Sequence, residues 1–98
     1  MTEIRQTQNY ADWFAGLRDE RAKARINVRI RRLSLGNPGD VRPVGDGVSE
    51  MRIDYGPGYR VYYKQKGLTI FVLLYGGDKD SQQADIAQAK KLASELED

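Results

Sequence analysis

The sequence predicts a single α+β domain: an edge strand, a pair of helices, a run of antiparallel strands and a closing helix. Three observations predict it. Apolar residues between positions 10 and 35 recur at helical spacing, those between 48 and 63 alternate with period two, and helical spacing returns after Asp80. A chain of 98 residues supports one core of modest size. The expected order is β-α-α-β-β-β-α, a mostly antiparallel sheet with the helices packed on one face.

Each element has a local reason. "EIRQTQ" (Glu3 to Gln8) alternates weakly and reads as a short edge strand. Asn9 suits a helix N-cap, and Tyr10, Trp13, Phe14 and Leu17 then fall on one helical face. A second helix from about Asp19 to Leu35 carries Ala22, Ile26, Ile30 and Leu33, and "GNPGD" stops it. Two helices this close in sequence form a hairpin. "VSEMRIDY" and "YRVYYK" alternate around "GPGY", where Pro57 and Gly58 suit a tight turn with positive φ at the glycine. "LTIFVLLY" (Leu68 to Tyr75) is apolar on both faces and belongs inside the sheet. Asp80 or Ser81 caps the last helix, whose stripe is Ile86, Ala89, Ala93 and Leu96.

Composition removes several chemistries. The chain has no cysteine and no histidine, so thiol nucleophiles, disulfides, thiolate metal sites and imidazole general bases are excluded. Asp78, Asp80 and Asp85 lack calcium-loop spacing and enclose Lys79, so no metal is expected, nor any cofactor. "GNPGD" and "GDG" lack the strand–loop–helix setting of a phosphate loop. The N-terminus has no apolar run and the longest apolar stretch is too short to span a bilayer, so the expectation is a cytoplasmic protein with no membrane partner.

Cations supply the remaining chemistry. With Met51, Ile53 and Val61 turned to the core, Glu50, Arg52, Arg60, Tyr62 and Lys64 share the other face, which is expected to be free of helices. Lys79 leaves the central strand toward the rim of that face. Converging cations suit a phosphate; cross-strand Glu–Arg pairing on a solvated strand is the alternative. Tyr62 reads either as a base-stacking platform or as strand packing. In the second helix Arg21, Arg25 and Arg32 lie along one flank, with Arg29 and Arg31 to either side. Such a face suits a nucleic-acid backbone or simply water.

The segments "RIRRLSLGNPGDVRPVGDGVSEMRIDYGPGYRVYY" and "LLYGGDKDSQQADIAQAKKLA" resemble the RelE/ParE superfamily of type II toxin–antitoxin systems, closest to its HigB-like "addiction module killer protein" branch. The resemblance covers nearly the whole chain and implies a RelE-like fold. It implies a toxin that cleaves messenger RNA on the ribosome by attack of a ribose 2′-hydroxyl on the adjacent phosphate. In that reading Arg60 stabilises the transition state, Arg52 and Lys79 add cationic support, and Glu50 is available to accept a proton. Arg21, Arg25, Arg29, Arg32, Tyr62 and Lys64 would meet RNA or the ribosome. The tyrosine or histidine that some relatives carry near the C-terminus has no counterpart here; Asp85 stands near that place. The implied partners are the ribosome, messenger RNA and a helix-turn-helix antitoxin. A ParE-like inhibitor of DNA gyrase and an inactive antitoxin-binding remnant are the alternatives.

Overall fold

The two periodicities resolve into five strands and three α-helices in a computed structural model that describes residues 2–96. The order is β1 (Glu3–Gln6), α1 (Gln8–Ala15), α2 (Glu20–Ser34), β2 (Val41–Gly45), β3 (Val48–Ile53), β4 (Tyr59–Lys66), β5 (Ile70–Gly77) and α3 (Gln82–Ser94), with a 3-10 turn at Lys79–Ser81 before α3. The strands lie in the order β1-β5-β4-β3-β2. β1 is parallel to β5 and every other pairing is antiparallel, so the sheet is mixed.

Tertiary contacts decide where α1 begins. Its cap is Thr7 rather than Asn9: the Thr7 hydroxyl accepts from Tyr10 N at 3.0 Å and donates to the Leu74 carbonyl at 2.6 Å. Tied to β5, Thr7 starts the helix two residues early. Asp19 caps α2 by accepting from Arg21 N and Ala22 N.

β2 is a strand that helical and twofold periodicity both missed. It is short, and Pro43 interrupts it without an N–H to donate, which confines it to the sheet edge. Its signal was the Asp46-Gly47 pair, whose residues both take positive φ, the requirement of a two-residue hairpin turn. The β3–β4 turn closes through a Gly58 N to Tyr55 O bond of 3.1 Å, with Gly56 and Gly58 both at positive φ.

The helices do not share one sheet face. α1 and α2 cover Met51, Ile53, Val61, Tyr63 and Leu73. α3 covers the opposite side, where Ala89 and Ala93 pack with Val48, Tyr62, Val72 and Leu74. The reason lies in β5: Leu73 faces one way and Val72 and Leu74 the other, so both faces must be shielded from water. The face expected to be open is therefore half roofed.

Two glycines set the spacing of these layers. A Cβ on Gly76 would stand 2.3 Å from the Trp13 ring, and one on Gly77 would stand 1.7 Å from Asp85 Oδ2. Successive strand residues point to opposite faces, so the pair admits an indole from α1 on one side and a carboxylate from α3 on the other.

Candidate functional site: a cationic cavity at one end of the sheet

In the β3–β4 ladder Arg52 is the direct partner of Arg60 and Glu50 the partner of Tyr62. Arg60 in turn pairs with Gly77, the last residue of β5, so Lys79 in the following turn lies at the same end of the sheet. Asp78 holds that turn by accepting from Asp80 N at 2.9 Å and Ser81 N at 3.3 Å. Arg52, Arg60 and Lys79 together line a cavity of about 340 Å³, whose other walls include Asp40, Asp54, Gly58 and Tyr59. Three cations and two carboxylates meet there.

The three cations are held differently. The Arg60 side chain is only 10% exposed. Its Nη1 donates to the Gly58 carbonyl at 2.6 Å, while its buried Nε has no hydrogen-bond partner and stands 3.9 Å from Glu50 Oε2. Arg52 is exposed and pairs with Asp40 at 3.2 Å across a half-solvated gap. A pair that exposed contributes roughly 0–1 kcal/mol, so an incoming anion can displace Asp40 at small cost. Lys79 is exposed and projects from the rim. One fixed guanidinium beside two adjustable cations suits an anion with several oxygens.

Glu50 is not on this cavity. It is fully buried, accepting from Gln82 Nε2 at 2.9 Å, Arg42 Nε at 3.1 Å and the Tyr62 hydroxyl at 3.1 Å. Burial pushes its carboxyl up, but the bonds from Gln82, Arg42 and Tyr62, with the charge of Arg42, outweigh burial and hold it below the usual range. Tyr62 is equally enclosed. Burial first, then the Glu50 charge and hydrogen bond, push its phenol far above its ordinary value. The open-face placement of Glu50 and Tyr62 is thus corrected: α3 and its Gln82 lie over them. The pair shapes the floor behind Arg60, and neither offers a stacking surface or an accessible base.

The remaining predicted residues separate into distinct places. Lys64, partner of Val48 and Val72, stands four residues along β4 from Arg60. That is about 13 Å at strand rise, so it does not join the cavity. Arg29 is committed to backbone carbonyls, with Nη1 donating to Arg52 O at 2.6 Å and Nη2 to Pro38 O at 3.1 Å and Asp40 O at 3.4 Å. It clamps the loop after α2 to β3 and so sets where Arg52 and Asp40 stand. Arg21, Arg25 and Arg32 are exposed and line a groove along α2 that adjoins the cavity at Ile53 and Asp54.

Several residues of the site went unread in the sequence. Asp40 had been absorbed into the helix stop "GNPGD", yet its carboxylate meets Arg52. Tyr59 and Asp54 wall the cavity from the ends of β4 and β3. Burial, followed by the charges of Asp19 and Asp78 and the neighbouring Tyr55, raises the Tyr59 phenol. Asp85, near the expected place of a C-terminal acid–base group, is buried and bonded to the Ser81 hydroxyl. Burial raises its carboxyl against the lowering effect of that bond, and Asp78 raises it further. Asp54, in the loop that joins β3 to β4, shares the parity of Glu50 and Arg52, and twofold alternation puts it on their side.

Fold and site define a small α+β domain with a cation-lined cavity where β3, β4 and the segment after β5 meet. A Haemophilus influenzae protein described as "Uncharacterized protein" is 51% identical over 94 residues, which cover 96% of this chain and 95% of the relative. The chain belongs to that protein's family. No protein-family model matches the sequence. Among the described residues, no helix is long and apolar enough to cross a membrane.

Proposed function

We propose that this chain is a RelE/ParE-type toxin of the HigB-like branch, an endoribonuclease that cuts messenger RNA bound on the ribosome. The observation that carries the reading is the convergence of Arg52, Arg60 and Lys79 on one cavity. A phosphodiester seated there has its two non-bridging oxygens among three cations. When the 2′-hydroxyl attacks the adjacent phosphorus, negative charge grows on those oxygens, and the cations stabilise that growth more than the ground state. The bond from phosphorus to the 5′-oxygen then breaks, leaving a 2′,3′-cyclic phosphate and a 5′-hydroxyl. With Glu50 enclosed, the proton acceptor is drawn from Asp40 and Asp54, and Lys79, exposed at the cavity, is the donor for the leaving oxygen. Orientation of the RNA by the ribosome supplies the remainder of the rate. The RelE-like topology belongs to this reading, as do a cytoplasmic setting and a helix-turn-helix antitoxin as partner.

One observation favours a second reading. Glu50 and Tyr62 satisfy each other under α3 and are lost as proton carriers. A chain that only binds, either DNA gyrase or its antitoxin, would need neither.

The deciding experiment maps transcript 5′ ends after a brief induction of the chain in bacteria. Arg52→Ala/Lys79→Ala is the better control than Arg60→Ala, because both residues are exposed and their loss leaves the fold intact. New ends inside coding regions that vanish in the double variant support cleavage. Unchanged transcripts from the folded wild-type chain overturn it and turn attention to gyrase supercoiling.

A further inference from the structure

A recess on the face covered by α1 and α2 lies at the end of the sheet remote from the cavity. It forms where α2 stops and the chain leaves through Gly36, over Ser49 of β3, Tyr63 and Gln65 of β4 and Phe71 of β5. Ser49 is the direct partner of Tyr63, and Gln65 of Phe71; such cross-strand partners share a face. The recess holds about 370 Å³, at the lower end of the range for small-molecule sites. It shares no lining residue with the cavity or with the groove along α2. Gln65 stands five residues along β4 from Arg60, about 16 Å at strand rise, with its side chain on the opposite face.

The wall differs from the rest of the surface in its chemistry. Charged residues make up 31% of the chain, yet none of the eight residues lining the recess carries a charge. Burial raises the Tyr63 phenol above its ordinary value, against the Ser49 hydroxyl and the charge of Arg29, so Tyr63 too stays neutral. The rings of Tyr63 and Phe71 meet edge to face, with centroids 5.5 Å apart and planes at 85°. A flat ring lying in that corner stacks on one and meets the other edge-on. Leu33, near the end of α2, adds apolar wall, and Gln65 brings an exposed amide to the rim. An amide sets a donor beside an acceptor.

We propose that this recess binds a free, uncharged purine of the adenine type, as the base or its nucleoside. The other ligand classes lack their partners here. An anion finds no cation on the wall and meets the negative end of the α2 dipole. A cation or a metal ion finds no carboxylate there. A sugar needs hydrogen-bonding groups all round its ring, and the Ser49 and Tyr63 hydroxyls already serve each other. Adenine needs ring contacts and one two-pronged amide, which Phe71, Tyr63 and Gln65 supply. The Gln65 carbonyl accepts from the exocyclic amine, and its amide nitrogen donates to the neighbouring ring nitrogen. Hypoxanthine, with an acceptor in place of that amine, cannot satisfy both. RNA is disfavoured, because its phosphates would arrive at a wall with nothing to neutralise them. The inference stands without the nuclease reading.

The test titrates adenosine into the full, isotope-labelled chain and follows backbone amide shifts by NMR. Adenosine should bind saturably, moving the amides of Ser49, Tyr63 and Gln65 and leaving those of Arg52 and Arg60 in place. Inosine should bind about tenfold more weakly, and ribose should not bind. Gln65→Ala and Phe71→Leu should each weaken adenosine about tenfold, the first through the lost amide and the second through lost stacking. Gln65 is exposed, so its variant keeps the fold even where Phe71→Leu loosens it, and melting temperatures check both. Arg52→Ala should bind as the wild type does. No saturable binding, inosine or ribose equal to adenosine, indifference to Gln65→Ala, or an oligoadenylate that binds more tightly than adenosine would each overturn the proposal.

Discussion

Replacing Glu50 by alanine tests the central structural claim about the half-roofed face. The carboxylate is fully buried and accepts hydrogen bonds from Gln82, Arg42 and Tyr62 at 2.9–3.1 Å, with the Arg60 guanidinium at 3.9 Å. Its removal orphans the enclosed Tyr62 hydroxyl, a loss of about 1–3 kcal/mol. It also strands Arg60 without its nearest counter-charge, and breaking a buried pair costs about 3–5 kcal/mol. The Arg42 contact adds little, because that side chain is 52% exposed. These losses overlap, so about 4 kcal/mol is the expected total. For a domain of this length that lowers the melting temperature by roughly 15–30 °C. It also removes much of a total stability of about 5–15 kcal/mol. Urea denaturation followed by Trp13 fluorescence, and thermal melts followed by circular dichroism, measure it. A second arm separates the causes: Tyr62→Phe removes one donor and leaves the charge, and should cost only about 1 kcal/mol. A Glu50→Ala loss below about 1 kcal/mol would refute the enclosed network and restore the residue to the solvated face.

Two further outcomes follow from the same geometry. Glu50 has a lowered folded-state pKa, so its contribution is complete above its unfolded value of about 4.3 and is lost as pH falls through the lower folded value. Asp85 has a raised one, so its contribution has the opposite sign: it is present below about 3.9 and disappears as pH rises through the folded value. Glu50→Gln should therefore flatten the loss of stability between about pH 5 and about pH 2, the window that brackets the unfolded and folded values, read from urea midpoints at stepped pH; a steeper acid limb would contradict it. Gly76→Ala places a methyl 2.3 Å from the Trp13 ring, and overpacking of that kind costs about 1–3 kcal/mol. Adding Trp13→Leu should recover part of that loss in Gly76→Ala and none in Gly77→Ala, whose obstacle is Asp85; equal recovery in both would refute the two-sided packing.

The cation set of the candidate site was largely legible in the sequence. Twofold alternation put Arg52 and Arg60 on one face, and a turn residue two positions past β5 had to lie near the end of β4. The clamp formed by Arg29 was not legible. It depends on carbonyls at Pro38, Asp40 and Arg52, as far as 23 residues away in sequence, and no local spacing encodes such a meeting. Asp40 was hidden for the same reason: a helix-stop signal explains it completely until a strand arrives beside it.

By itself the sequence determined periods and parities. Period three-to-four gave α1, α2 and α3, and period two gave β3 and β4 and the side to which each of their residues points, because those depend only on backbone geometry near each residue. Tertiary structure alone decided which side of the sheet α3 would cover. That choice buried Glu50 and Tyr62 and left Arg52 and Lys79 in water, turning one expected open face into a cavity at its end. The physical reason is that alternation assigns a side chain to a face, while the solvent on that face depends on an element packed there from elsewhere in the chain. β5, apolar on both sides, required a cover on each; the chain held one more helix to provide it.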